Sequence, residues 1–441
     1  MKQHVFFTRT RTVHSDSKPT LGLITFTACT AMAAVMLLVT AALAGATETL
    51  FIDFEATIQR AVTIDSIYFN DLSHQEGEPV TSRLWDFGDG CTSTDMAPVH
   101  QYAQAGTYSV TLRVDTASAT GALTKSDYIA VFEPTALDRY VRKPDSSYRY
   151  EVAATFPGED VTNTFLHMTS QTWRSPQEID RTAWEHFVLV IEPNTVTTST
   201  AILGLDGGEY SMLSPDSYDM FLNYTTHFQQ LAVDTGCIVA IVFLVPNDPL
   251  TFTNDPGKDP YSWWSPTEPQ RYEDDMLALS FYHFYRTKDE EWPCLLPMTK
   301  SAVRAMDTVQ DFVGSKSGDV KDFIVTGHSK RGWTSWLTAA TDARVRAIAP
   351  QAFDFPNLAA QLGHHRGVFG GYSWALYAYA NLNVLEHMNT AQGHQLLSII
   401  DPYEYRERLT MPKLVLNATN DQFTCPDSAQ YYFPALPAEN F

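Results

Sequence analysis

Val325-Thr326-Gly327-His328-Ser329-Lys330-Arg331-Gly332 is the stretch that decides the fold. Before it, Phe323-Ile324 begins a short apolar run that reads as a buried strand. After it, Trp333-Thr-Ser-Trp-Leu-Thr-Ala-Ala340 reads as a helix. A strand that runs through Gly-x-Ser straight into a helix is the setting of a nucleophile elbow. The sharp turn lifts the serine hydroxyl above the carboxyl end of the strand. There the helix N-terminus and the next backbone N–H can stabilise an oxyanion. Ser329 is the candidate nucleophile, weighed against the ordinary work of a serine as a helix N-cap. An elbow usually carries glycine two residues after the serine. Here Arg331 stands at that place and Gly332 follows it.

Outward from the elbow, short apolar runs recur at 187–191, 201–205, 237–245, 323–326, 345–349 and 413–417. They predict buried strands of a largely parallel sheet. Residues 272–286, 298–314 and 374–388 place apolar side chains three and four apart, which predicts helices. The alternation predicts an α/β domain with helices on both faces. In such a domain the nucleophile is followed by an acid and then a histidine. Asp421, just past 413–417, is the candidate acid, weighed against a simple turn at Asn420-Asp421. Leu205-Asp206-Gly207-Gly208-Glu209-Tyr210 also follows a strand. Gly207 and Gly208 either bring a backbone N–H to an oxyanion or make a plain turn. Lys330 offers its N–H as an oxyanion donor, and its cation either reaches the same site or is solvated. His328 is expected to pack behind the turn. Glu273-Asp-Asp275 opens a helix, where acids suit the dipole. In Tyr261-Ser-Trp-Trp264, Trp263 or Trp264 lines a substrate groove or packs beneath its loop. No cofactor or metal is expected, because no Cys/His spacing matches a zinc site.

Residues 48–134 read differently. Short alternating runs such as Ser109-Val-Thr-Leu-Arg-Val114 lie between glycine turns, with no helical period, which indicates a β-sandwich. Trp85-Asp-Phe-Gly-Asp-Gly90, then Pro98-Val-His-Gln-Tyr102 and Gly106-Thr-Tyr-Ser-Val-Thr-Leu112, resembles the PKD domain. The resemblance implies an Ig-like extracellular spacer or adhesion module, suited to cell-surface, polysaccharide or protein contact. Asp86 and Asp89 read as turn acids bonding nearby backbone rather than as calcium ligands.

The chain has 441 residues, enough for two or three domains at roughly 150 each. Its 51 acids against 30 Lys plus Arg give a formal charge of −21, which repels phosphate backbones and argues against a nucleic-acid partner. Residues 1–44 combine a basic start, an apolar run over 21–43 and the ending Ala42-Leu43-Ala44. This reads as a secretory signal, with an uncleaved membrane anchor as the rival. Both place the rest outside the cytoplasm: secreted, periplasmic, lumenal or at the cell surface. Cys91, Cys237, Cys294 and Cys425 then admit three disulfide pairings, while Cys237, in an apolar run, reads as a small buried hydrophobe. Of the two glycosylation acceptors, Asn223 is expected to be accessible. Asn417, at the end of a core strand, is not.

From Thr135-Ala-Leu-Asp-Arg-Tyr-Val-Arg-Lys-Pro144 onwards the chain resembles the PhoPQ-activated pathogenicity-related protein family. Leu296-Pro-Met-Thr-Lys-Ser-Ala-Val-Arg-Ala-Met-Asp-Thr308, the helix after Ser329, and Asp401-Pro-Tyr-Glu-Tyr-Arg-Glu-Arg-Leu-Thr-Met-Pro-Lys413 carry the match. The likeness implies an α/β-hydrolase fold, with Ser329 as nucleophile and Asp421 as acid. The elbow, with a cation after its serine, also resembles that of glucuronoyl esterases. The family's histidine would follow a last strand beyond the acid, yet no histidine follows His394. Two expectations follow: the sequence is a fragment, or the base has been lost. His364 and His365 are expected to be surface histidines without a role. The expected organisation is a signal over 1–44, a PKD-like sandwich over 45–134 and a hydrolase domain over 135–441. The expected activity is acyl transfer on an ester or peptide bond of a small-molecule or peptide substrate. The alternative is a non-catalytic secreted binding or signalling protein.

Overall fold

The computed structural model describes residues 49–258, 269–315, 319–437 and 440–441. The signal segment 1–44 and Tyr261, Trp263 and Trp264 lie outside the described residues.

The first module is all β. A three-stranded sheet places β3 (Ile67–Asp71) between β1 (Phe54–Ala56) and β6 (Val99–His100). A five-stranded sheet runs β2 (Arg60–Val62), β8 (Thr120–Phe132), β7 (Gly106–Asp115), β4 (Ser82–Asp86), β5 (Thr92–Ser93). Alternation does the folding: Val110, Leu112 and Val114 of β7 point inward onto Trp85, Phe87 and Phe69. Glycine is required at Gly88, which has φ +83° and would set a Cβ against the Ser109 carbonyl. Asp86 accepts the Gly88 N–H and Asp89 the Cys91 N–H, the behaviour of turn acids.

The second module is built on a seven-stranded mixed sheet. Its order is β15 (Val345–Gln351), β14 (Asp322–His328), β12 (Thr200–Leu205), β13 (Val239–Val242), β11 (Ala183–Pro193), β10 (Val161–Thr172), β9 (Arg149–Pro157). The parallel pairs lie between β13 and β15, whereas β9, β10, β11 and β13 pair antiparallel. The sheet is therefore less parallel than the sequence suggests. β9 and β10 escape the apolar-run reading because polar residues interrupt both strands. They form a hairpin, since the residues between Pro157 and Val161 are too few for a crossover.

Both faces of the sheet are covered. In β11, Phe187, Leu189 and Ile191 join one apolar cluster, with the helices Tyr218–Tyr224 and Thr226–Thr235 on that side. Val188 and Val190 join the larger cluster, packed by the helices Glu273–Thr287, Leu295–Gly314 and Lys330–Thr341. β12 lies between β13 and β14, so the chain departs from it to opposite sides. Such a reversal opens a crevice at the carboxyl ends of the strands.

Several expectations change here. Residues 413–417 form isolated parallel bridges to Ile348 and Gln351 rather than a core strand. Leu414, Leu416 and Asn417 are exposed, so burial does not set Asn417 apart from the exposed Asn223. Residues 374–388 break into the short turns Trp374–Leu376, Tyr377–Asn381 and Leu385–His387, with Asn383 at φ 54° interrupting the helix. Cys91, Cys237, Cys294 and Cys425 are all free thiols, and Cys237 is half-buried rather than fully buried.

The two modules are joined by directed polar contacts. Arg60 of β2 donates to the carbonyls of Ala339, Asp342 and Arg408 at 2.7, 3.0 and 2.9 Å. Asp65 accepts both Nε and Nη2 of Arg142, and Arg142 also donates to the Thr341 carbonyl. Among the described residues no helix is long and apolar enough to cross a membrane.

Candidate functional site

Ser329 has φ 59° and ψ −124°, a conformation that L-residues avoid. Its N–H donates to the Gln351 carbonyl at 2.8 Å, and its own carbonyl accepts the Trp333 N–H at 3.0 Å. The residue thus ends β14, starts the helix Lys330–Thr341 and is held against β15. The glycines around it have steric reasons. A Cβ on Gly327 would lie 2.7 Å from the Arg331 Cβ and carbonyl oxygen. One on Gly332 would lie 2.7 Å from the Gln351 carbonyl. Glycine is needed at 332, where the helix passes the end of β15, and position 331 is free to carry a large side chain.

That side chain builds the floor of the site. The Arg331 guanidinium forks onto Glu273, with Nη1 at 2.8 Å from Oε2 and Nη2 against Oε1, and its Nε donates to the Val245 carbonyl. Lys330 Nζ lies 2.6 Å from Glu273 Oε2 and 3.0 Å from Asp274 Oδ2. Both cations are buried. Lys330 is therefore not solvated, and its charge is already engaged by two carboxylates. Burial disfavours the Lys330 ammonium, but Asp274 and Glu273 outweigh this and its pKa rises. Burial likewise pushes the Glu273 carboxyl up, yet Lys330 and Arg331 together hold it below the usual range. Asp248 moves the other way, raised by burial and by the Glu273 charge, while accepting the Glu273 N–H at 2.8 Å. Glu273 itself sits at φ 47°. Strain of this kind persists where surrounding contacts over-determine it.

A cavity of about 700 Å³ opens over these groups, lined by Asp206, Gly208, Arg271, His328, Ser329 and Tyr377 among others. That volume suits a small-molecule or short-chain ligand. Gly207 and Gly208 both line it. The Gly207 N–H is spent on the Asp206 carboxylate at 2.7 Å, and a Cβ on Gly207 would strike Arg331. Gly208, at φ 128°, has an N–H with no partner among the described residues. The Lys330 N–H, first in its helix, likewise has no intrahelical acceptor. These two N–H groups are spare backbone donors beside the cavity.

Asp421 sits half-buried past the 413–416 bridges, where its Oδ1 accepts the Phe423 N–H at 2.7 Å. It does not line the cavity, whereas Phe423 does. Asp354, past β15, was not singled out from the sequence. Burial, with the Asp421 charge adding to it, raises its carboxyl to about 6, and it accepts the Tyr432 hydroxyl. His328 is exposed and lines the cavity instead of packing behind the turn, because the elbow turns its side chain outward. His364 is half-buried and bonds Asp427, and His365 is wholly buried, so neither is a bare surface histidine. Helical spacing puts these neighbours on different sides of the helix Leu358–Phe369.

The sequence reading missed Arg331, Asp248 and the role of Glu273. The only local signal was an arginine where the elbow usually has glycine. Glu273 was read as a helix-opening acid, and nothing near it in sequence announces two cations 57 and 58 residues away.

Comparisons with known proteins match each module to a family. The profile described as PhoPQ-activated pathogenicity-related protein matches residues 137–441, and that of the PKD domain matches residues 53–131. Autocrine proliferation repressor protein A of Dictyostelium discoideum is 33% identical over 311 residues, which is 70% of this chain and 59% of that protein. The chain therefore spans less than two thirds of that relative's length. Acetyl xylan esterase 1 from Thermoanaerobacterium sp. JW/SL YS485 is 16% identical, covering 70% of this chain and 86% of its own, with a TM-score of 0.42. The PKD1 domain of Vibrio anguillarum Epp is 31% identical over 20% of this chain and 99% of its own, with a TM-score of 0.17.

Proposed function

Because the chain belongs to the PhoPQ-activated pathogenicity-related protein family, we propose that it is an exported serine hydrolase acting by acyl transfer on an ester or peptide bond. The observation that carries this reading is Ser329 at φ 59°, on a strand-to-helix turn that opens into the cavity. In this reading the Ser329 hydroxyl attacks a carbonyl carbon, and the Gly208 and Lys330 N–H groups receive the oxyanion. Asp421 orients the histidine that takes the serine proton. Among the described residues no histidine is bonded to Asp421: His364 is bonded to Asp427, His186 is buried against Ser170 and Ser301, and His328 lines the cavity. The Glu273–Lys330–Arg331 cluster braces the elbow without touching the reacting atoms. The sandwich, over 45–134, contributes contact with a cell surface, a polysaccharide or a protein, and the hydrolase domain starts at 135.

A second reading, a secreted binding or signalling protein without catalysis, is favoured by the likeness to the Dictyostelium repressor. One assay separates them. The protein and its Ser329→Ala variant are tested on activated esters and short peptides. Acyl transfer from Ser329 predicts hydrolysis at least about a hundredfold above that of the variant. Equal rates in the two would move catalysis away from the elbow. Inertness toward every substrate would leave the binding reading.

A further inference from the structure

A cluster outside the cavity remains unexplained. His364 on the helix Leu358–Phe369 places Nε2 2.7 Å from Asp427 Oδ1, across 63 residues of chain. The Cys425 thiol completes the group, with the three ligand atoms all within 4.8 Å of one another. Cys425 is free and 2% exposed. The second oxygen of Asp427 accepts the Gln430 amide at 2.8 Å, which orients the carboxylate. Asp427 itself is exposed, so the cluster opens to solvent on one side.

We propose that His364, Cys425 and Asp427 form a binding site for a zinc-class divalent ion, with its fourth position open to solvent. One thiolate, one imidazole and one carboxylate suit a tetrahedral borderline-soft ion, whereas calcium and magnesium take oxygen ligands. Bond lengths of about 2.0 to 2.3 Å place tetrahedral neighbours roughly 3.3 to 3.7 Å apart. The His364–Asp427 pair, 2.7 Å apart, then opens by roughly 0.6 Å, which an exposed carboxylate can do. On binding, the thiol releases its proton to solvent and the ion replaces the hydrogen bond between His364 and Asp427. The ion ties the helix Leu358–Phe369 to the segment that carries Asp421. A second His/Cys/Asp group, Asp89, Cys91 and His100 in the sandwich, has an exposed thiol. Its Asp89 is already committed to the Cys91 N–H and to His100. It is the internal competitor.

The test uses the full chain, stripped with a chelator and titrated with cobalt(II), then with zinc. One equivalent of cobalt should give a sulfur-to-cobalt charge-transfer band that zinc abolishes. Cys425→Ser should remove the band, His364→Gln and Asp427→Asn should each weaken binding at least about 10-fold, and Cys91→Ser should leave it unchanged. His364→Gln, at a half-buried position, keeps the test decisive if Cys425→Ser fails to fold. No band and no zinc uptake would overturn the site. So would a band that survives His364→Gln at full affinity or disappears in Cys91→Ser.

Discussion

The two modules handle strain and charge in opposite ways. In the sandwich the positive-φ residues are glycines and Asp127. Its ion pairs include Arg113–Asp115 and Lys125–Asp53, in which both partners reach solvent. The α/β module puts Ser329 and Glu273 at positive φ around one cavity and buries two cations on one carboxylate there. The sandwich confines positive φ almost wholly to glycine, where it costs little. A domain that presents a serine above a strand holds unfavourable conformations in place, and buried charge is one means of doing so.

The largest expected effect tests that contrast directly. Glu273→Ala leaves Lys330 and Arg331 buried without their shared partner and should cost about 3 to 5 kcal/mol in denaturant unfolding. Arg113→Ala in the sandwich, whose partner Asp115 is also solvent-accessible, should cost under about 1 kcal/mol. Similar losses at the two positions would erase the distinction.

Next is pH. Burial depresses the His186 imidazole to about 4, the Phe243 and Leu244 backbone only partly opposing this. A histidine buried neutral contributes stability that is complete above the unfolded value of about 6.5 and is lost as pH falls toward 4. Thermal unfolding of the larger module should lose on the order of 3 kcal/mol across that window, and His186→Gln should flatten the slope. An unchanged slope would assign the acid sensitivity to other groups.

Arg60→Ala removes three charge-assisted bonds at the junction and should cost about 2 kcal/mol. In calorimetry a single transition should split, with the sandwich unfolding separately. A transition that stays single would place the coupling in Asp65–Arg142 instead. Smallest of all, Ser329→Gly should relieve the positive φ and raise stability by about 1 kcal/mol while abolishing any hydrolysis. A destabilised glycine variant would mean that the serine is not strained where it stands.

Legibility followed distance along the chain. The elbow could be read because strand, Gly327, Ser329 and helix are neighbours in sequence. The sandwich could be read because its turn acids and glycines act on backbone two residues away. β9 and β10 were missed because their strand character comes from a hairpin packed on β11 rather than from apolar composition. The brace of Glu273 on Lys330 and Arg331 was missed for the same reason, as was the meeting of His364 with Cys425 and Asp427. In each case neither partner carries a local mark of the other.

The amino-acid sequence by itself determined the two modules, the strand-to-helix turn at Ser329 and the net acidity, and its motifs carried the family resemblance. The modules and the turn rest on periodicity and turn chemistry, which need no long-range contact. Only the tertiary structure decided that the cation after the serine is buried and neutralised, that Gly208 rather than Gly207 offers a spare N–H, and that Arg60 fastens the sandwich to the α/β module. Those outcomes depend on which distant groups share a low-dielectric space, where an unpaired charge or donor is costly and a paired one is not.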